Sequence, residues 1–248
     1  MSAAITTTSL TKRYGATRAV DGLSLDISTG TVYGFLGPNG AGKSTTMQML
    51  TALIEPTGGD GTIMGTSIRD RRAISPQIGY LPETPPLYDA LSGREQLDYV
   101  ADLRDMSEEQ STDRIETLLR EFDLVADAGM RIDAYSKGMR QKVAFIQAII
   151  HDPDVLFLDE PTSGLDPRAT RTLKERIRAI ADSGMTIFLS THILSVVDEL
   201  ADIVGVLNNG RLVAEGTPDG LKHRVESGSD GSLEDVFFDV TSTWDWSN

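Results

Sequence analysis

The sequence predicts an α/β fold: a largely parallel sheet, an N-terminal antiparallel β subdomain and an inserted α-helical subdomain. Three observations carry this. A short apolar strand, Val32-Tyr33-Gly34-Phe35-Leu36, runs into a Gly-rich loop and then a helical pattern. Two further apolar runs, Val155-Leu156-Phe157-Leu158 and Thr186-Ile187-Phe188-Leu189, are separated by a helical stretch near 168–182 and read as buried parallel strands. Between these regions, residues 86–150 change to helical periodicity.

Taken in order, residues 1–35 are β-rich, and Ala19–Ile27 alternates apolar and polar residues around a turn, as half-buried antiparallel strands do. Thr45 to Leu53 has helix formers at apolar spacing. In the helical insert, Ser92-Gly93-Arg94-Glu95 and Ser107-Glu108-Glu109-Gln110 fit the capping box, a hydroxyl followed three residues later by an acid or amide. Leu97, Val100 and Leu103, then Ile115, Leu118, Leu119 and Phe122, form apolar stripes expected in the core. Ile203–Leu207 and Arg211–Ala214 flank Asn208-Asn209-Gly210, a hairpin turn. These boundaries give a main domain over 1–222 and a tail over 223–248. The tail begins near the polar stretch Ser227–Gly231, and Ser232-Leu233-Glu234-Asp235 can cap one last helix.

Composition narrows the function. A chain of 248 residues is long enough for one such domain with a substantial core. Zero Cys excludes disulfides, thiol nucleophiles and cysteine-bound metals. A net charge of −14 argues against a nucleic-acid surface; it fits a salt-rich cytosol or an ordinary solubilising surface equally well. No apolar run approaches the roughly 18 residues of a membrane span, and Met1–Thr6 lacks the features of a secretory signal. A cytoplasmic location is expected.

The chemistry is concentrated in a few short segments. Gly37-Pro38-Asn39-Gly40-Ala41-Gly42-Lys43-Ser44-Thr45 fits G-x-x-x-x-G-K-[ST], a loop whose backbone N–H groups approach a polyphosphate at a helix N-terminus. Lys43 is expected to reach the β- and γ-phosphates, and the Ser44 hydroxyl to ligate Mg²⁺. Asp159 closes an apolar strand, where its carboxylate can hold the metal directly or through water. The adjacent Glu160 is placed to polarise an attacking water as general base. Ser136 opens the helix through Val143 and Ile149, as a simple N-cap, an anion site, or both.

With these segments in this order, the chain resembles the ATP-binding subunit of an ATP-binding-cassette (ABC) transporter, from about Ile5 to Leu221. The resemblance implies a P-loop NTPase core of the RecA-like type, with ATP and Mg²⁺ as cofactors. It identifies Tyr135-Ser136-Lys137-Gly138-Met139 with the family's signature, usually Leu-Ser-Gly-Gly-Gln; Ser136 and Gly138 are kept and the other three depart. It implies that Ser163-Gly164-Leu165-Asp166 crosses a dimer interface, that His192 contacts the γ-phosphate, and that Tyr14 stacks on adenine. A Gln is usual after the strand Ile78–Leu81, but this chain has Glu83, which can still ligate Mg²⁺ or orient water. Leu81-Pro82-Glu83 with the altered signature resembles the exporter branch called ABC-2 type.

The same resemblance implies that two cassettes, identical or different, clamp ATP head to tail between the loop of one and the signature of the other. It also implies an integral membrane permease as partner, holding the subunit on the inner face of the cell membrane, with docking near Pro85–Leu91. A soluble ABC-type ATPase in a non-transport process is the alternative. It would carry long coiled-coil arms, a second cassette or specific insertions, and none is visible.

Overall fold

The computed structural model describes residues 2–223 and 232–242. In chain order the strands are β1 (Ala3–Tyr14), β2 (Thr17–Ser28), β3 (Val32–Leu36), β4 (Gly58–Ile63), β5 (Thr66–Ser67), β6 (Ile78–Leu81), β7 (Val155–Asp159), β8 (Thr186–Thr191), β9 (Ile203–Asn208) and β10 (Arg211–Gly216). The helices are α1 (Lys43–Leu50), α2 (Arg71–Ile74), α3 (Gly93–Leu103), α4 (Glu108–Glu121), α5 (Lys137–Ile149), α6 (Pro167–Asp182), α7 (Leu194–Leu200), α8 (Pro218–Lys222) and α9 (Leu233–Ser242).

Two sheets form. The smaller is antiparallel in the order β2-β1-β4-β5; the larger runs β10-β9-β3-β8-β7-β6. In the larger sheet β9, β3, β8, β7 and β6 are parallel and β10 is an antiparallel edge. Strands β3, β7 and β8 are buried along their whole length. That explains why they read as continuous apolar runs rather than alternating ones. The C-terminal ends of β3 and β7 and the turn after β8 lie on one edge, where ligands of parallel α/β sheets sit.

Several elements differ from the sequence reading. Asp21-Gly22 does not turn the chain. β2 continues through it, and β1 pairs on either side, Leu10 with Leu23 and Lys12 with Val20, the register shift absorbing the extra residues. The chain reverses between Tyr14 and Thr17 instead. The antiparallel sheet also recruits β4, whose Gly58-Gly59-Asp60-Gly61 looks like loop. Here β1 approaches so closely that a Cβ on Gly59 (φ +71°) would lie 2.2 Å from the Ser9 carbonyl oxygen. Only glycine fits there. Helix α1 starts two residues earlier than expected, at Lys43, and ends at Leu50. Thr51 Oγ1 donates to the Met47 carbonyl and Ala52 takes φ +53°.

The helical insert comprises α3, α4 and α5. Ser92 and Glu95 form the complete reciprocal capping box, and Ser107 accepts from the Gln110 N–H. Leu97, Ile115, Leu118, Leu119 and Phe122 are buried together with Val143, Phe145 and Ile146 of α5. Leu103 breaks the expected stripe: it is 64% exposed, because α3 ends there and its last turn overhangs a cleft. The β9–β10 hairpin turns at Asn209-Gly210 as expected. Helix α9 begins with Ser232 and Asp235 bonded reciprocally, and buries Leu233 and Val236 against α7 and α8. The polar stretch Ser227–Gly231 lies outside the described residues.

Candidate functional site

The loop between β3 and α1 is built from backbone geometry. Ala41 N–H donates to the Pro38 carbonyl, and the Gly210 N–H donates to the Ala41 carbonyl, tying the loop to the β9–β10 turn. Gly42 has φ +105°, and a Cβ there would sit 2.3 Å from the Ala19 carbonyl oxygen. A side chain is therefore excluded both by conformation and by space. The turn brings Lys43 in as the first residue of α1, buried at 6% exposure. Its Nζ donates to the carbonyls of Gly37 (2.8 Å) and Pro38 (3.3 Å) and lies 3.6 Å from Glu160 Oε1.

Glu160 follows the last residue of β7 and takes φ +47°, left-handed backbone that costs a non-glycine residue about 1–3 kcal/mol. Its N–H is held by the Ser190 carbonyl and its own carbonyl by the Ser163 N–H. The carboxylate is 7% exposed; Oε1 accepts from His192 Nδ1 at 2.9 Å and Oε2 from the Thr191 hydroxyl at 3.0 Å. Asp159 is buried beside it. Ser190 Oγ donates to its Oδ1 at 2.8 Å, and the Ser44 hydroxyl donates to the same carboxylate. Burial pushes the Asp159 carboxyl up from its ordinary value. Those two hydroxyls oppose the shift, and the charges of Glu160 and Glu83 add to it. Tyr80 is pushed up as well, by burial and by Asp159.

Asn39, Gly40, Gly42, Lys43, Ser44, Thr45, Glu83, Glu160 and His192 line one cavity of about 490 Å³, together with Ala19 and Ser163. Lys43, Ser44, Asp159, Glu160 and His192 are thus one constellation. Gly37, Pro38, Ala41 and Asp159 adjoin the lining residues in sequence without lining the cavity themselves, and three further expected residues, Tyr14, Ser136 and Gly138, are not among the lining either. Tyr14 ends β1, 52% exposed, with Lys12 Nζ 5.3 Å from its ring centre. Ser136 caps α5 by accepting from the Met139 N–H, and Gly138 borders a separate small pocket with Leu165 and Ala169. The sequence marks Ser190-Thr191-His192 as a phosphate-chemistry motif but gives no individual role to Ser190 and Thr191, whose hydroxyls orient both acids. The signal was their position immediately before His192, at the end of an apolar strand. Ala19 gave no signal at all.

The donor set suits a magnesium ion. A hydroxyl and a carboxylate already in contact, Ser44 and Asp159, offer hard oxygen ligands, and Glu83 and Glu160 add negative charge that a cation would offset. Among the described residues no cluster of three or more His, Cys, Asp or Glu makes a self-sufficient metal site. A cation here would depend on a polyphosphate for the rest of its shell, as Mg²⁺ in nucleotide sites does.

A strand–loop–helix with Lys and Ser at the helix start, facing two consecutive acids at the end of β7, defines a nucleoside-triphosphate-binding protein. Residues 20–163 match the family described as ABC transporter. The Daunorubicin/doxorubicin resistance ATP-binding protein DrrA of Streptomyces peucetius is 40% identical over 90% of this chain and 68% of that protein. The Bacitracin transport ATP-binding protein BcrA of Bacillus licheniformis is 38% identical over 90% and 73%. Among solved structures, an ATP-binding subunit of an ABC transporter superposes with TM-score 0.86 at 34% identity, covering 95% of this chain and 98% of the other. The nucleotide cassette MJ1267 in its ADP conformation shares the fold, with TM-score 0.82 at 21% identity over 96% and 99% of the two chains. The chain belongs to the ABC transporter family as an ATP-binding subunit, an ATPase that drives transport.

Proposed function

We propose that the subunit hydrolyses Mg²⁺-ATP in a head-to-tail dimer of cassettes and works on a separate membrane permease, powering export. The convergence of Lys43, Ser44, Glu160 and His192 on one cavity, with Asp159 buried beside them, supports this reading most directly. Gly37, Asn39, Gly40, Ala41 and Gly42 bring backbone N–H groups to the β- and γ-phosphates, Pro38 stiffens the loop without supplying a donor, and Thr45 continues the helix N-terminus toward them. Lys43 exchanges the carbonyls of Gly37 and Pro38 for phosphate oxygens.

Ser44 and Asp159, with Glu83 at the rim, would hold Mg²⁺, which would neutralise charge on the phosphates. Glu160 takes the proton of the attacking water; its second oxygen stays oriented by Thr191. His192 donates Nδ1–H to Glu160, so to donate to the γ-phosphate it must release that carboxylate or take up a second proton. Tyr14 offers an exposed ring for adenine. Ser136 and Gly138 meet the γ-phosphate of the neighbouring cassette, where the α5 N-terminus favours negative charge.

No helix among the described residues is long and apolar enough to cross a membrane, which agrees with a separate permease. We place the subunit on the cytoplasmic face of the membrane, with the permease contact around Pro85–Leu91. There Tyr88 is 54% exposed and meets Tyr99 edge-on at 5.5 Å. The names of the relatives favour export of drug-like or peptide antibiotics; the net charge of −14 disfavours nucleic acid. The test is Mg²⁺-ATP turnover and size-exclusion chromatography of Glu160→Gln. Slow turnover with an ATP-dependent dimer supports the reading. Unchanged turnover with no dimer refutes the role of Glu160.

A further inference from the structure

The largest cavity among those described is not the nucleotide site. It is a cleft of about 990 Å³ between the short helix α2, the overhanging end of α3, the first turns of α4 and the residues following α5. Four arginines line it, Arg71, Arg72, Arg104 and Arg114, against two acids, Asp105 and Asp152. In a chain of net charge −14 this local excess of cations is out of keeping with the rest of the surface. Two acids can neutralise at most half of the four arginines' charge.

The pairing is incomplete here. Among the described residues the side chains of Arg71 and Arg72 have no hydrogen bond or ion pair, although both are exposed on α2. Arg104 spends Nη1 on the Ser75 carbonyl at 2.7 Å and the Ser75 hydroxyl at 3.4 Å, and its Nε and Nη2 have no partner among the described residues. Arg114 reaches the Ile149 carbonyl with Nη2 and lies 3.6 Å from Asp152, itself 84% exposed; its Nε is buried without a partner. His151 donates Nε2–H to the Ile78 carbonyl at 2.9 Å, which leaves Nδ1 as an acceptor, also buried and unpartnered. Burial first, and then Arg104, holds this imidazole neutral, with its pKa down to about 4. The wall therefore has an unused guanidinium donor and an unused imidazole acceptor, and buried polar groups are seldom left so.

We propose that this cleft binds a phosphate ester that also carries a hydroxyl group. Guanidinium forks match phosphate oxygens in pairs, and Arg71 and Arg72 at the mouth with Arg104 and Arg114 deeper in can share one phosphate between them. The hydroxyl supplies the donor that the imidazole lacks, once the arginine side chains part around the ligand. An ionised carboxylate accepts only, so an acidic side chain would leave His151 unsatisfied. The size suits a small organic phosphate, since ligand pockets run to about 300–1,000 Å³. Leu103, Met106, Ile150 and Pro76 give it an apolar wall for the carbon skeleton. The same chemistry is offered by a free sugar or glycerol phosphate and by the headgroup of an anionic phospholipid.

Calorimetric titration of the full chain, with saturating Mg²⁺-ADP to occupy the phosphate loop, tests this. The probes are inorganic phosphate, glycerol 3-phosphate and a short polyglutamate peptide; co-sedimentation with phosphatidylglycerol vesicles makes the lipid arm. Glycerol 3-phosphate should bind more tightly than inorganic phosphate. The double variant Arg71→Glu/Arg72→Glu should lose about tenfold or more of that affinity, while Arg71→Lys/Arg72→Lys keeps most of it and Arg120→Glu, outside the cleft, leaves it unchanged. Vesicle binding lost in the same double variant, with no binding of the free ester, identifies a lipid headgroup and supports the proposal. Three outcomes overturn it: no binding of free ester or vesicle, binding indifferent to the Arg71/Arg72 charge reversal, or tighter binding of polyglutamate than of any phosphate, which would make the cleft a protein-docking surface.

Discussion

The start of α1 and the start of α5 are both helix N-termini suited to phosphate, yet the chain treats them differently. At α1, Lys43 is 6% exposed and held on two carbonyls and Glu160, while Ser44 is tied to Asp159. At α5, Ser136 is committed to the Met139 N–H, and Lys137 stands exposed with no acidic residue in the first turn. Its ammonium lies against Gly164, where a Cβ would come within 2.0 Å. A cation beside a helix N-terminus is unfavourable unless an anion is nearby. One terminus completes its charge balance inside the fold and the other leaves it open. The open one is the half that our dimer proposal hands to a second cassette.

The largest expected effect breaks the closed half. Glu160→Gln should lower Mg²⁺-ATP turnover by about 10²–10⁴-fold, the usual worth of a positioned general base, while ATP binding followed by fluorescence is kept. Lys43→Ala should instead weaken ATP binding by about tenfold or more through loss of a charge-assisted contact, measured by the same titration. It should also release Glu160 from its nearest cation. Equal binding in the two variants would contradict the division of labour between them.

Gly42→Ala comes next, and its readout is stability. The left-handed backbone and the Ala19 carbonyl 2.3 Å from the new Cβ should cost about 2–3 kcal/mol in urea unfolding, with nucleotide binding lost as well. Ser136→Ala tests the open half. Losing the cap should cost only about 1 kcal/mol. Turnover should fall at protein concentrations where cassettes pair, while ADP binding to the single subunit stays unchanged. A turnover loss of the same size in dilute monomer would place the role of Ser136 within its own chain. The smallest effect is expected at Glu83→Gln, which keeps an oxygen at the cavity rim and should hold turnover within about threefold, against a clear loss for Glu83→Ala. Identical kinetics for all three forms would make Glu83 a bystander.

Much of this was legible in the linear sequence because it depends on local chemistry. The loop from Gly37 to Thr45 is encoded by glycines at fixed spacing. The buried strands β3, β7 and β8 are encoded by uninterrupted apolar runs. The starts of α3, α5 and α9 are encoded by a hydroxyl placed where N–H groups lack partners. Such signals need only a few neighbouring residues to act.

What the tertiary structure decided involves contacts between distant segments. Strand β4 exists because β1 supplies the hydrogen bonds that a Gly-rich segment cannot secure alone, and the Asp21-Gly22 pair stays in β2 because β1 pairs on both sides of it. Leu103 obeys the helical period of its stripe but lies beyond the reach of the core, where α3 overhangs the arginine cleft. Asp159 and Glu160 are adjacent in sequence, yet their orientation comes from Ser190 and Thr191, about thirty residues away on β8. Sequence fixes which groups are available and which stretches pair readily. Only packing the strands side by side decides which of those groups share one cavity, because that depends on register between strands the chain visits far apart.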